Sequence, residues 1–375
     1  MTSGSFARRP GVARVPAGHT QSHDLWGVST IARVTCVYAI CHCVVDLACV
    51  TTLMGAVAPS LAAGGPQASA LAILAYDLLA FCLQLPLGAL LDVVGRRRSL
   101  DAAMLSFALV AAGVSCGMAQ APIPAVVLVA LGNALFHDVG GVEVLGESQG
   151  RDAPSGLFIA TGAAGVFGGS LPGFNRWAGA PYLLLCLLFA SAALVLSAPR
   201  SDEPGGLSVT LTGRGWMAVA LLAATVALRS YTGLMMGFPW KASVSLVAAA
   251  VAAVVAGKAA GGAVADAIGP LGASVLSLGA AAVLFAFSWT SVPAGLGATL
   301  LFNFTMAITL GELARLLPDA RGMAFGIASF SLALGALPAL LGLGFASAPL
   351  LSLLSILSLV LLLAGLLCAH GAFDG

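Results

Sequence analysis

Apolar runs of about 18–24 residues follow one another along the chain, separated by short polar breaks. Crossing the hydrocarbon core as a helix takes about 20 apolar residues. The runs predict twelve transmembrane helices. In the first half they cover 33–57, 68–91, 99–119, 123–145, 155–177 and 180–198. In the second they cover 215–238, 242–265, 270–292, 294–316, 322–345 and 348–369. Breakers mark the joints, among them Gly64-Gly65-Pro66, and Pro122 with Pro124. The longest break after the N-terminal stretch is 199–214, near the midpoint, with Arg200, Asp202, Glu203, Pro204 and Arg214. The expected organisation is a cytoplasmic tail over 1–30, a six-helix bundle over 31–198, a cytoplasmic linker over 199–214, a second six-helix bundle over 215–369 and a cytoplasmic tail over 370–375.

Composition strengthens this reading. Hydrophobic residues make up 59% of the 375, charged residues 8%, and mean hydropathy is +1.03. Soluble domains carry about 25% charged residues, so lipid is the solvent that accepts this surface. Net charge is +1, which gives no basic field for nucleic acid. The basic residues are asymmetric. With the N-terminus inside, the inner loops hold Arg8, Arg9, Arg14, Arg96, Arg97, Arg98, Arg151, Arg200, Arg214, Arg315 and Arg321, and the outer loops only Arg176 and Lys241. The positive-inside rule then puts both termini in the cytoplasm. The expectation is a multi-pass protein of a bacterial inner membrane. None of the eight cysteines lies in a CxxC pair, so neither a disulfide nor a metal site is expected. No cofactor is expected either.

The two halves repeat each other. Gly88, Asp92 and Gly95 form GxxxDxxG at the end of the second run, and Gly262, Asp266 and Gly269 form it at the end of the eighth. Gly156, Gly169, Leu171 and Pro172 align without gaps to Gly322, Gly335, Leu337 and Pro338. Parallel six-helix repeats are a transporter architecture with the substrate site between the halves. The stretch Gly88 to Arg98, GALLDVVGRRR, resembles the loop signature of the major facilitator superfamily. The resemblance implies an all-α membrane protein of two pseudo-symmetric six-helix bundles, the major facilitator fold. It also implies alternating access, with Gly88, Asp92, Gly95, Arg96, Arg97, Arg98, Gly262, Asp266 and Gly269 as a gating motif. Asp92 could pair with an arginine or cap a neighbouring helix N-terminus. His42 with Asp46, and Gly132 to His137, are loosely similar to the fosmidomycin-resistance type of exporter, although Asp138-Val139-Gly140-Gly141 departs from that pattern.

Ionisable residues inside a membrane are costly and mark sites. His42 and Asp46 share one face of a helix, as do Asn133 and His137. Gly140 and Gly141 would open space beside the second pair. Arg229 lies in an otherwise apolar run, and its planar fork suits a carboxylate, phosphate or phosphonate, or a salt bridge to Asp46. Lys258 adds a second positive charge. The expected substrate-binding set is His42, Asp46, Asn133, His137, Arg229 and Asn303. Asp46, Asp138 and Glu143 are the expected proton-coupling groups.

There is no GxxxxGK[ST] and no HExxH or GxSxG motif, so direct ATP use and those hydrolytic chemistries are not expected. The leading expectation is a monomeric secondary active transporter of a small organic anion or zwitterion, driven by protons. The alternatives are efflux of neutral or cationic compounds, or a membrane-embedded acyl- or lipid-modifying enzyme.

Overall fold

A computed structural model describes residues 29–373. Nine of the described helices are long and apolar enough to cross a membrane. They are α1 (Thr30–Leu61), α2 (Pro66–Val94), α3 (Arg96–Met118), α4 (Pro122–Glu147), α7 (Gly213–Leu234), α8 (Val244–Ile268), α10 (Val292–Leu316), α11 (Arg321–Leu340) and α12 (Ala348–Phe373). Three shorter helices lie between them: α5 (Ala153–Ser170), α6 (Ala180–Leu196) and α9 (Pro270–Phe285). The chain is a multi-pass membrane protein.

Local chemistry sets many of these ends. Proline occupies the first helical turn of α2, α4, α5, α9 and α10, where its missing N–H costs no internal bond. The side chains of Ser29, Thr212, Ser243 and Ser291 each accept a hydrogen bond from the backbone N–H three residues on, capping α1, α7, α8 and α10. Gly95 and Gly269 end α2 and α8 at φ of 82° and 83°, a backbone shape that other residues resist. The loop glycines of the repeat therefore make the same turn in both halves.

Some expected bounds shift. Helix α5 stops at Ser170 because Leu171 is extended ahead of Pro172, well short of 177. The matching Pro338 is instead carried inside α11. Helix α7 starts at Gly213, inside the expected linker. Helix α12 runs to Phe373, through most of the expected C-terminal tail. The expected N-terminal tail lies almost wholly outside the described residues.

The helices form two bundles, each around its own apolar core. Helix α1 packs on α5, α4 and α6, while α3 packs on α4 and α6. In the second half α7 packs on α12 and α11, and α9 on α12 and α10. Phe107, Phe136 and Phe158 anchor the first core; Phe285 and Phe302 anchor the second. The bundles meet along two seams, α2 against α11 and α5 against α8. At the first seam Gly88 and Gly322 face each other so closely that a Cβ on either would fall on the other's carbonyl. At the second, Gly262 lies against the backbone of Asp152 and Ala153. Small residues let helix backbones approach in a membrane, where lipid gives no hydrophobic drive to pair.

The seam sets a test. Gly322→Val forces its side chain into the Gly88 backbone, and overpacking of this kind costs about 1–3 kcal/mol. The expected result is a lower unfolding temperature in detergent. Gly173→Ala, whose Cβ meets open space, should leave that temperature unchanged.

Candidate functional site

Two carboxylates fasten the seams on the side of the molecule that carries the linker. Asp92, at the end of α2, accepts hydrogen bonds from the backbone N–H groups of Gly322 (2.8 Å) and Met323 (2.7 Å) at the start of α11. Asp266, at the end of α8, accepts from Asp152 (2.7 Å) and Ala153 (3.1 Å) at the start of α5. The first N–H groups of a helix lack internal partners and carry partial positive charge, so a carboxylate suits them. Of the two partners expected for Asp92, the helix N-terminus is the one it takes.

A cluster of charges surrounds each fastening. Arg96 is buried and reaches Glu143 (2.8 Å) and Glu147 (2.7 Å) of α4 and Glu203 of the linker (3.3 Å). Glu203 also binds Arg321 of α11 (3.1 Å). The linker thus straps the α2–α3 turn to the second half, and its backbone adds bonds from Gly206 N to Asp92 O (3.0 Å) and from Arg97 N to Glu203 O (3.3 Å). At the other seam Arg315 of α10 pairs with Glu312 (3.0 Å) and, across to the first half, with Asp152 (3.1 Å). Burial pushes Asp152 up to about 6, against the pull of Arg315. Burial works in the same direction on Glu203, but Arg321 and Arg96 more than offset it and hold that carboxyl below its ordinary value.

These contacts revise three expectations. Glu143 sits in the Arg96 cluster rather than free in a cavity, because α4 brings it level with the α2–α3 turn. Arg97 and Arg98 stay outside the cluster; Arg98 pairs with the exposed Asp101 of its own helix (2.9 Å). Gly140 and Gly141 do not open space, since the rings of Phe158 and Phe325 fill the two notches.

Deeper in the first bundle, α1 and α4 bring four of the expected residues together. Asp46 accepts from Asn133 Nδ2 (2.8 Å) and lies 3.3 Å from His42 Nε2 and 3.6 Å from His137 Nε2. All four are buried. Arg229 and Asn303 do not join them. They line a separate cavity of about 430 Å³ set among α7, α8, α10, α11 and α2. This cavity lies toward the side opposite the linker, where Gly233, Lys241 and Leu340 border it. Its charged lining is Arg229, Lys241 and Lys258 against the lone carboxylate of Asp77. Leu78, Phe81, Val251, Val254 and Met306 are among its apolar walls.

Arg229 is 3% exposed. One Nη donates to the Phe302 carbonyl (2.8 Å), and the guanidinium lies over the Phe302 ring at 5.1 Å. Among the described residues no partner meets its Nε or its other Nη, and no salt bridge to Asp46 forms. Lys258 reaches across the seam to the Ile159 carbonyl (3.5 Å), and Lys241 donates to the Met236 carbonyl (2.8 Å). Asn303 turns back on Thr299 (2.8 Å) where α10 breaks its regular pattern at Phe304. Asp138 is fully buried, and among the described residues neither of its oxygens has a partner. The sequence does not mark Glu203, Asp152 or Arg321 as site residues. Their roles depend on which loop each helix end meets, and spacing along the chain carries no sign of that.

Several solved transporters share this architecture. The E. coli fucose:proton symporter FucP superposes with a TM-score of 0.61 at 11% identity, over 90% of this chain and 99% of that one. The human organic anion transporter MFSD10 gives 0.62 at 18%, over 88% and 99%. A bacterial homologue of the iron transporter ferroportin, in an outward-facing state, gives 0.64 at 14%, over 93% and 100%. The chain has the major facilitator fold. No protein-family profile and no curated protein matches the sequence. The paired Asp92 and Asp266 fastenings join the two halves on the linker side.

The strap makes its own prediction. Asp92→Asn replaces one acceptor oxygen with a donor facing an N–H, so it should loosen α2 from α11 and the linker with them. Tryptic cleavage after Arg200 should then accelerate several-fold in detergent, while Asp266→Asn, at the seam without the linker, should change it little.

Proposed function

We propose that this protein is a secondary active transporter that carries a small organic anion or zwitterion with an apolar body. The observation that carries the reading is Arg229. It is buried, it faces the 430 Å³ cavity, and two of its nitrogens lack partners. A buried charge without a counter-ion costs several kcal/mol, roughly, and a bound anion removes that cost. Lys258 and Lys241 add to the attraction, while Asp77 offers a place for an amine. Three cations against one carboxylate disfavour a cationic drug as cargo. The organic anion transporter with the same fold supports the same substrate class.

Transport in this reading works by rocking the two bundles about their seams. The side bearing the linker is the cytoplasm, by the positive-inside bias, and the fastened seams then correspond to an outward-open cavity. The driving force we propose is the proton gradient, which also serves the fucose symporter of the same fold. Membership in an inner membrane and a monomeric state belong to the same proposal.

A thermal-stability screen tests the substrate class. A ligand that binds the folded state raises its stability. Small carboxylates and phosphonates should raise the unfolding temperature of the wild type and not that of Arg229→Ala. Stabilisation by cations or neutral drugs alone, unchanged in Arg229→Ala, would sink the anion reading. The stabilising anions should then cross proteoliposomes faster under an imposed pH gradient than without one.

A further inference from the structure

His42 and His137 face each other in an arrangement that neutral imidazoles cannot satisfy. His42 Nδ1 lies 2.7 Å from the Phe158 carbonyl, and His137 Nδ1 lies 2.9 Å from the Asn133 carbonyl. A carbonyl only accepts, so each Nδ1 carries the hydrogen. In a neutral ring the other nitrogen is then a bare lone pair. The two Nε2 atoms are nevertheless 2.7 Å apart, with the Asp46 carboxylate beside both. Two imidazole lone pairs and a carboxylate crowd together, and a cation between them is the missing partner.

We propose that His42 Nε2, His137 Nε2 and the Asp46 carboxylate form a binding site for a divalent first-row transition metal ion. The two Nε2 atoms are 2.7 Å apart, His42 Nε2 lies 3.3 Å from Asp46 Oδ2, His137 Nε2 lies 3.6 Å from Asp46 Oδ1, and one donor atom from each residue falls within 4.8 Å of the others. Ligands about 2.0–2.1 Å from one tetrahedral zinc lie about 3.3 Å apart, within that spread. The backbone carbonyls that hold both Nδ1–H groups are the outer support that metal-bound histidines need, since they fix tautomer and ring orientation. Asn133 does the same for the carboxylate. A Cβ at Gly162 of α5 would fall 2.5 Å from both Asp46 Oδ2 and His42 Nε2, so glycine lets α5 pack directly against the donor atoms and shield them. Two imidazoles and one carboxylate select zinc, iron, cobalt or nickel over magnesium or calcium, which prefer oxygen.

All three ligands belong to the first bundle, so the ion stays with that bundle when the halves move. Lys258 of the second bundle sits across the seam on the Ile159 carbonyl. An ion in the triad repels that ammonium and weakens the contact between the halves. This site is separate from the Arg229 cavity, and its test does not depend on the anion reading.

The full-length protein in detergent, stripped with chelator, would be titrated with Co²⁺ at pH 7.5. The readouts are bound metal per chain after gel filtration and the visible bands of a low-coordinate cobalt centre. The expected result is one Co²⁺ per wild-type chain, displaced by Zn²⁺. Affinity should drop at least tenfold in the near-isosteric Asp46→Asn and in His42→Gln, with monodisperse elution as the folding control. Arg229→Ala should bind Co²⁺ as the wild type does. Absence of stoichiometric Co²⁺ in folded wild type would overturn the proposal and leave a proton as the shared cation. Unchanged binding in the double variant His42→Gln/His137→Gln would overturn it too, by placing the metal elsewhere.

Discussion

Everything else in this molecule depends on one repeated interaction, a carboxylate set on the open N-terminus of a helix from the other half. Asp92 on α11 and Asp266 on α5 hold the two bundles together where lipid supplies no force to do so. Each charge-assisted bond of this kind is worth about 1.5–3 kcal/mol. The contact is available only because the backbones approach closely, which Gly88 and Gly322 allow. With the seams closed there, the free volume gathers on the opposite side, around Arg229.

The fold was legible because the bilayer enforces it. A run of apolar residues of bilayer length has one stable solution, a helix, and a mid-chain polar stretch divides twelve such runs evenly. The repeated GxxxDxxG was equally legible, since both its glycine turn and its carboxylate act on the chain within a few residues. Helix ends were read less well. The Leu171-Pro172 step stops α5, whereas the same pair at Leu337-Pro338 lies inside α11, where Ala339 rather than a glycine follows the proline.

The site was legible in part. Positions four apart on one helix correctly paired His42 with Asp46, and Asn133 with His137, because helix geometry alone dictates those neighbours. Whether the two pairs met Arg229 depended on rotations of α1 and α7 within their bundles. Apolar stripes do not encode such rotations when every helix is apolar all round. The structure divides the expected single site into an imidazole–carboxylate cluster in one half and a cationic cavity in the other. Glu143 shows the same limit: about one and a half turns further along α4 than His137, its carboxylate belongs to the Arg96 cluster.

Phe158 links these parts mechanically. Its ring fills the notch at Gly140, lies 4.6 Å from the His42 ring and stands 6.1 Å from Phe325 of the opposite bundle. Its own carbonyl holds the His42 Nδ1–H. Phe325 in turn is wedged into Gly141 of α4. One side chain and its own carbonyl thus place the His42 imidazole within two ring contacts of the opposite bundle, so the aim of that imidazole is held by both halves of the molecule at once.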